Sequence, residues 1–339
     1  MAASNAHSRP PNLFIVGAPK CGTTAWVHYL GTHPKIFFAK PKEHCYFALD
    51  LPNFRLTHAA ADYEKMFAES GDAEVIGEAS AMYLFSQSAA EAIRKHDPKS
   101  KILIFLREQE EYLSSLHNQF LWEFAEEIED FETAWRLSGR RPPDLIPVGC
   151  LEPRTLDYAA MGRFHEQVQR YRAAFPPEQL FIIGFREWTA DPRGTYLRIL
   201  DFLGLQDDGR IDFPPINEGM TYRSRTLARV VVSPPEIIRR WARRVKTFTG
   251  PIGRLAERVA WKGVRLLSAP GYKTQIAPEL RDEIRTRFAE DNRLLEEVIR
   301  DTFGRGSNDS DPRSPSASTS PDSSATSSRK CSTAAESRP

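Results

Sequence analysis

The stretch Leu13-Phe14-Ile15-Val16-Gly17-Ala18-Pro19-Lys20-Cys21-Gly22-Thr23-Thr24 decides the fold of this chain. Leu13 to Val16 is a short apolar run typical of a buried strand, and a helix-compatible pattern begins at Ala25 and Trp26. A loop containing glycine and proline joins the two. The first N–H groups of a helix have no intrahelical partner, and the helix dipole adds partial positive charge there. The segment therefore predicts an anion-binding loop at the end of a buried strand.

This loop differs at one position from the nucleotide phosphate-binding pattern G-x-x-x-x-G-K-[ST]. Gly17 and Gly22 have the required spacing, but Thr23 stands where the pattern needs lysine, and the lysine of the loop is Lys20. A P-loop NTPase also needs an acidic residue that holds Mg²⁺. No apolar run of the sequence ends in a clear metal-binding Asp, and one ends at Arg107, which suits an anion. A P-loop kinase or NTPase stays open as the alternative enzyme class.

Apolar runs that suit strands alternate with helical patterns along the chain. The apolar runs are 13–16, 75–77, 102–106 and 180–185, and the helical patterns are 25–32, 88–95, 111–126, 159–174, 192–203 and 277–302. This alternation predicts a three-layer, P-loop-like α/β fold in which helices flank a central parallel sheet. Ligands of such sheets bind outside the carboxyl ends of the strands. The 17–24 loop, Glu78 and Arg107 are therefore expected at one crevice.

The same segments resemble the PAPS-dependent sulfotransferases (PAPS is 3′-phosphoadenosine 5′-phosphosulfate), in particular the bacterial type related to the carbohydrate and heparan sulfotransferases. Gly17 to Thr24 is similar to the family's 5′-phosphosulfate loop, and Arg107 with Ser115 resembles its 3′-phosphate element. Lys42 to Phe47 resembles a Lys-Glu-x-x-Phe-Phe-type segment of the family. Gly77 to Tyr83 resembles its Gly-Glu-x-Ser-Pro-x-Tyr segment. The resemblance implies a metal-independent, in-line transfer of a sulfuryl group from PAPS to an acceptor hydroxyl, with PAP as the product.

The resemblance also implies a role for each matching residue. Lys20 would stabilise the leaving phosphate, and Glu43 would be the general base, with His44 as the rival base because histidine titrates near neutral pH. The donor-binding residues would be Pro19, Lys20, Cys21, Gly22, Thr23, Thr24, Arg107, Ser115, Tyr272 and Lys273. The acceptor-binding residues would be Glu78, Ser80 and Tyr83. The acceptor itself is expected to be a carbohydrate, a lipid or a small metabolite.

The sequence departs from the family's pattern close to Arg107. The family usually has proline two residues after this arginine and a second arginine five residues after it. This chain has Gln109 and Tyr112 at those positions, and Ala81 replaces another usual proline. Loss of the second arginine predicts a weaker hold on the 3′-phosphate.

Composition limits the possible classes of function. A net charge of +1 argues against nucleic-acid binding, and 41% hydrophobic residues fit an ordinary globular protein. The four cysteines, Cys21, Cys45, Cys150 and Cys331, have neither metal-ligand spacing nor a disulfide framework. The N-terminal residues lack a signal-peptide pattern, and no apolar run is long enough to span a bilayer. We therefore expect a cytoplasmic protein.

The chain divides by composition into three parts. Residues 1–11 are expected to be a flexible N-terminus, 12–304 the sulfotransferase domain, and 305–339 a disordered tail rich in Ser and Pro. Within the domain, 234–267 is a basic, amphipathic stretch that is either a peripheral membrane contact or a solvated face. A nucleotide-binding module that has lost turnover is the non-enzyme alternative. The sequence carries no signal for an oligomeric state.

Overall fold

A five-stranded sheet forms the centre of the protein, in a computed structural model that describes residues 9–216, 220–222, 268–270 and 276–303. The strands are β1 Leu13–Gly17, β2 Ile36–Phe38, β3 Val75–Ala79, β4 Lys101–Leu106 and β5 Leu180–Gly184. They lie in the order β2-β3-β1-β4-β5, and every neighbouring pair is parallel. In the register of this sheet, Leu13 pairs with Gly77 on one side and with Lys101 on the other. The parallel sheet that the sequence predicts is confirmed, although the three-residue strand β2 was not predicted.

Helices flank this sheet. They are α1 Thr23–Leu30, α2 Ala60–Lys65, α3 Ala89–His96, α4 Gln109–Glu123, α5 Phe131–Arg136, α6 Tyr158–Met161, α7 Phe164–Ala174, α8 Phe185–Ala190, α9 Pro192–Leu203, α10 Pro278–Arg287 and α11 Ala289–Phe303. Single-turn 3₁₀ helices lie at Pro52–Phe54, Ala81–Tyr83, Pro143–Leu145, Pro153–Leu156 and Pro177–Gln179, and an antiparallel pair joins β6 Met220–Tyr222 to β7 Ser268–Pro270. Each helical pattern listed above corresponds to helix, and the patterns 159–174 and 277–302 are each split into two helices. The unpredicted helices α2, α5 and α8 have six residues each, which is too short for a clear periodicity.

Local sequence explains where the elements begin and end. All five residues of β1 are buried, as expected for a central strand that is covered on both faces. Helix α9 begins where the Asp191 side chain accepts a hydrogen bond from the Gly194 N–H, with Pro192 in the first turn. It ends at Gly204, whose φ of +78° is readily adopted by glycine.

An aromatic cluster fixes α1 against the sheet. The Trp26 indole stacks on the Phe105 ring of β4 at a centroid distance of 5.6 Å, and the edge of Trp188 meets it at 5.9 Å. Trp26 and Phe105 are fully buried. Truncating such a side chain to alanine typically costs about 3–5 kcal/mol. The cluster therefore holds the start of α1 beside the end of β4, where Arg107 follows.

Some predictions concern residues outside the described part of the chain. These are residues 1–8 of the N-terminus, the basic stretch 234–267, Tyr272, Lys273 and the tail 305–339. Among the described residues, no helix has both the length and the apolar character that crossing a membrane requires.

Candidate active site

The residues that the sequence analysis singled out converge at the carboxyl edge of the sheet. The 18–22 loop follows β1, Glu43 follows β2, Ser80 follows β3 and Arg107 follows β4. Because the strands are parallel, their carboxyl ends share one edge. The predicted crevice is therefore built from segments that are far apart in sequence.

The 18–22 loop depends on two glycines. Gly17 and Gly22 have φ values of +143° and +92°, which side-chain-bearing residues rarely adopt. A Cβ atom at Gly22 would lie 2.4 Å from a ring carbon of Trp188, and one at Gly17 would lie 2.5 Å from the Ala81 carbonyl oxygen. Both positions therefore require glycine, because the loop passes too close to its neighbours for any side chain.

Backbone N–H groups are the main donors of this loop. Within the described part of the chain, no side chain caps α1, so the N–H groups of its first turn keep no partner of their own. Pro19 has no N–H, and the Cys21 N–H already donates to the Ala18 carbonyl at 3.3 Å. The Cys21 thiol is fully buried, and burial raises its pKa, so it stays a neutral packing group. Among the loop residues predicted to bind the sulfuryl donor, Lys20, Gly22 and the start of α1 therefore offer free hydrogen-bond donors, whereas the backbone of Pro19 and Cys21 does not.

Lys20 is the partly desolvated cation of the loop. Its Nζ donates to the Gln119 Oε1 at 3.0 Å, and its backbone φ is +61°. Burial is the main cause that lowers the pKa of Lys20; the charge of Glu123 opposes this effect, and those of Arg107 and Lys42 add to it. An ammonium that has lost part of its water shell gains more from an incoming anion than a solvated one does.

Glu43 is held rigidly and remains accessible. Its Oε1 lies 2.6 Å from the Lys42 Nζ, and its Oε2 accepts a hydrogen bond from the Ala81 N–H at 2.7 Å. Its own N–H donates to the Ala79 carbonyl at 2.8 Å. The φ of Glu43 is +68°, a conformation that costs a non-glycine residue about 1–2 kcal/mol. Its side chain is 39% exposed, so an acceptor can reach this carboxylate.

Lys42 is a site residue to which the sequence analysis gave no role. Besides Glu43, its Nζ donates to the Thr24 Oγ1 at 3.0 Å and to the Thr23 Oγ1 at 3.3 Å. One ammonium thus joins the candidate base to the first two residues of α1. The signal available in the sequence was a lysine directly before the candidate base.

His44 is less suited than Glu43 to accept a proton from an acceptor. Only 5% of His44 is exposed, and its Nδ1 lies 3.2 Å from the Thr57 Oγ1. Burial lowers the pKa of His44, so the ring is neutral near pH 7. A neutral imidazole is a chemically competent base, but an enclosed one cannot contact an acceptor hydroxyl. The expectation that His44 acts directly does not fit this placement.

Glu78, Ser80 and Tyr83 lie behind the site rather than at its surface. The Glu78 carboxylate is 1% exposed and accepts hydrogen bonds from the hydroxyls of Ser80, Tyr83 and Tyr63. Burial raises the pKa of Glu78 to about 7. Ser80 in turn accepts a hydrogen bond from the Cys45 N–H at 2.9 Å. The expected contact with an acceptor does not fit this burial; these residues support the loop that carries Glu43.

A network of charged side chains surrounds Arg107. Its Nε and Nη2 donate to the Glu111 Oε2 at 3.1 and 2.9 Å, and its guanidinium lies 4.4 Å from the centre of the Phe185 ring. Arg186 donates to the Glu111 Oε1 at 3.0 Å and pairs with Glu108 at 2.8 Å. Burial alone would raise the pKa of Glu111, but the hydrogen bonds from Arg107 and Arg186 outweigh it and lower this pKa. We call Arg107, Glu108, Glu111 and Arg186 the arginine network.

The structure explains two departures from the family's pattern. Gln109 forms a reciprocal amide pair with Asn292 of α11, with N···O distances of 2.7 and 3.1 Å. Tyr112 is buried and its ring meets that of Phe164 at 4.9 Å, so this position faces the core. Arg186 of α8, which sequence reasoning missed, is a second arginine at this end, paired with Glu108 and Glu111.

The structure describes only one of the three remaining residues that the sequence predicts to bind the sulfuryl donor. Ser115 lies on α4, four residues after Glu111 and thus on the same helix face, and it is half-buried. Tyr272 and Lys273 lie outside the described residues. The described part of this end therefore consists of the arginine network and Ser115.

The fold and the site together define a class: a P-loop-like α/β protein whose sheet edge carries a glycine-containing loop, a lysine and a helix start beside an accessible carboxylate. The sequence model of the family described as "Sulfotransferase domain" matches residues 10–213, which is more than half of the chain. The chain belongs to this sulfotransferase family. The resemblance stated from its motifs is confirmed.

Individual relatives are distant. The chain is 24% identical over 202 residues to human bifunctional heparan sulfate N-deacetylase/N-sulfotransferase 3, an alignment that covers 58% of this chain and 22% of that protein. It is 25% identical, with the same coverage, to mouse bifunctional heparan sulfate N-deacetylase/N-sulfotransferase 4. The chain thus spans about a fifth of the length of these curated relatives. A sulfotransferase from Alicyclobacillus acidocaldarius shares the fold, with a TM-score of 0.61, 24% identity and coverage of 86% of this chain and 96% of that one. Family and fold support sulfuryl transfer as the chemistry of the site.

Proposed function

We propose that this protein transfers a sulfuryl group from PAPS to a hydroxyl of a carbohydrate, a lipid or a small metabolite. The observation that carries the proposal is the placement, at one sheet edge, of the partly desolvated Lys20 in an anion-binding loop and of the fixed, accessible carboxylate of Glu43. An anion site and a base side by side are what transfer of an anionic group to a protic acceptor needs.

The described residues fit a donor that is anionic at both ends. The N–H groups at the start of α1, together with Lys20, would hold the 5′-phosphosulfate. Arg107 and Ser115 would hold the 3′-phosphate, although Glu111 already occupies the Nε and Nη2 of Arg107. When bound, PAPS supplies an activated sulfuryl group whose leaving group is a phosphate.

The protein contributes proton transfer and charge stabilisation. Glu43 accepts the proton of the acceptor hydroxyl, because its carboxylate is exposed at the crevice and fixed through the Ala81 N–H. Lys20 and the loop N–H groups stabilise the negative charge that accumulates on the departing phosphate. Pre-positioned donors of this kind contribute about 3–4 kcal/mol each to transition-state stabilisation.

Transfer can be tested without knowing the acceptor. We would incubate the protein with ³⁵S-labelled PAPS, EDTA and fractions of the native cell extract, and identify the labelled product by mass spectrometry. Labelled product in EDTA is the expected result, and its bond type would distinguish a hydroxyl from an amine acceptor. Turnover of ATP that depends on Mg²⁺, without labelled product, would instead support the kinase or NTPase alternative. Calorimetric binding of PAP without transfer to any fraction would support the binding module.

A further inference from the structure

Lys42 occupies an unusual position for a cation. Its ammonium has three N–H bonds and three acceptors within reach, namely the Glu43 Oε1 at 2.6 Å, the Thr24 Oγ1 at 3.0 Å and the Thr23 Oγ1 at 3.3 Å. The lysine side chain is 22% exposed. The ammonium is therefore saturated with partners, and only one of them carries a charge.

The surroundings of this ammonium favour an anion. Thr23 and Thr24 are the first residues of α1, and the positive end of a helix dipole repels a cation by a few tenths to about 1 kcal/mol. The charge of Lys42 is also among the causes, behind burial, that lower the pKa of Lys20. Glu43 is the carboxylate that contacts Lys42, and the charge of Glu123 acts in the same sense on Lys20. An anionic ligand in the same loop would offset them more fully, because two lysines and the helix start would all face it.

The pairing also affects the candidate base. One oxygen of the Glu43 carboxylate, Oε1, lies 2.6 Å from the Lys42 ammonium. Its other oxygen is held by the Ala81 N–H. In the arrangement described, both oxygens of Glu43 are therefore engaged.

We propose that Lys42 exchanges its carboxylate partner, Glu43, for the anionic end of the donor, so that donor binding releases the base. This inference rests on the proposed function and deepens it. Glu43 then takes the acceptor's proton while the new oxygen–sulfur bond forms. The bond from sulfur to the phosphate oxygen breaks, its electron pair stays on the phosphate, and Lys42 and Lys20 stabilise that charge. The proton transfer thus follows donor binding instead of competing with it.

The direct test compares crystal structures of the protein with and without PAP. The expected result is a Lys42 Nζ that leaves the Glu43 Oε1 and comes to about 3 Å from a 5′-phosphate oxygen, the ordinary hydrogen-bond distance. An intact pair in the PAP complex, with the 2.6 Å contact retained, would overturn the exchange.

Kinetics provide a second test that a purely structural role would not satisfy. Lys42→Met should lower kcat at saturating PAPS by roughly 10²-fold, and Lys42→Arg should restore most of it. Lys35→Met is the matched control, because Lys35 pairs with Glu74 at 3.0 Å on the surface with half of its side chain exposed. A Lys42→Met enzyme that keeps the wild-type kcat would contradict the proposal.

Calorimetry with PAP distinguishes a failure of the proposed function from a failure of the Lys42–Glu43 exchange. If PAP does not bind the wild-type protein, the proposed function and the exchange fail together. If PAP binds while the Lys42–Glu43 pair stays intact in the complex, only the exchange fails.

Discussion

The two ends of the crevice carry positive charge in different ways. At the loop end, defined by residues 17–24 with Lys42 and Glu43, the ammonium groups of Lys20 and Lys42 lie near the carboxyl groups of Glu123 and Glu43, and the start of α1 adds unpaired backbone N–H groups. At the other end, each arginine of the arginine network is paired with a glutamate. The loop end therefore adds unpaired N–H donors and the positive end of a helix dipole to its charged side chains, whereas the arginine network consists of paired side chains.

This difference assigns different tasks to the two ends. An anion entering the loop end meets the unpaired N–H groups at the start of α1 beside the ammonium groups of Lys20 and Lys42, so several favourable interactions form at once. A phosphate at Arg107 must displace or share the Glu111 carboxylate. The free energy gained on binding is then only the difference between the arginine–phosphate and the arginine–carboxylate interaction. We expect the loop end to control catalysis, and the arginine network to adjust the preference for a 3′-phosphorylated donor.

Replacing Lys20 should give the largest effect. Lys20→Met removes the cation that stabilises the leaving phosphate, and we expect kcat to fall roughly 10²- to 10³-fold. Steady-state kinetics with PAPS would measure this, with circular dichroism to verify folding and Lys35→Met as the surface control. Near wild-type turnover in the variant would contradict the role given to the loop end.

The loop end also rests on a buried acid whose protonation affects stability. The pKa of Glu78 is raised from 4.5 to about 7 in the folded protein. The folded state thus binds the proton more tightly than the unfolded state, and the free energy of unfolding should fall as pH rises from about 4.5 to about 7. A shift of this size corresponds to about 3 kcal/mol.

Glu78→Gln checks this dependence, because glutamine cannot ionise. Urea unfolding of both proteins between pH 4.5 and 8 should show a smaller decline for the variant. Glu91→Gln, at an exposed position on α3, is the control and should leave the decline unchanged. Parallel curves for wild type and Glu78→Gln would show that this carboxylate ionises as freely in the folded protein as in the unfolded chain.

Replacing Arg107 should have a smaller effect, confined to the donor's 3′-phosphate. Arg107→Gln should raise the Kd for PAP about tenfold, the value of one charge-assisted hydrogen bond. Binding of AMP, which lacks the 3′-phosphate, should change less than twofold. Isothermal calorimetry with both ligands measures the difference, and Arg163→Gln, a surface ion-pair variant, is the control. An equal loss for PAP and AMP would mean that Arg107 does not face the 3′-phosphate.

The smallest predicted effect is a gain in affinity for PAP, not a loss. Glu111→Gln frees Arg107 and Arg186 from their shared carboxylate, so PAP should bind about three- to tenfold more tightly at low salt. The matched control is Glu132→Gln, because Glu132 forms an i,i+4 pair with Arg136 at the surface. Weaker PAP binding in the Glu111 variant would indicate that this carboxylate positions the arginines instead of competing for them.

The sequence predicted the sheet well and the polar partners poorly, for physical reasons. Buried parallel strands appear as continuous apolar runs, so β1, β3, β4 and β5 could be recognised, and the glycine spacing of the 17–24 loop indicated its geometry. The strand β2 escaped because three residues give no pattern.

Contacts between distant residues could not be found in this way. Arg186 meets Glu111 across 75 positions of sequence, and no local pattern records that distance. The burial of His44 and Glu78 could not be predicted either, because the residues that precede them are polar or small and also occur at protein surfaces. A motif locates a residue at the sheet edge, but tertiary packing decides whether its side chain faces the crevice.

The amide pair between Gln109 and Asn292 bears on how the protein is made. It joins the start of α4 to a helix that lies 183 positions later, and Arg285 reaches back to Glu110 in the same way across 175 positions. A nascent chain that ends before residue 276 already contains the residues of all five sheet strands together with Lys20 and Glu43. The helix that follows Arg107 would gain these anchors only after residues 276–303 have been synthesised, so the arginine side of the cleft would be completed after the sheet.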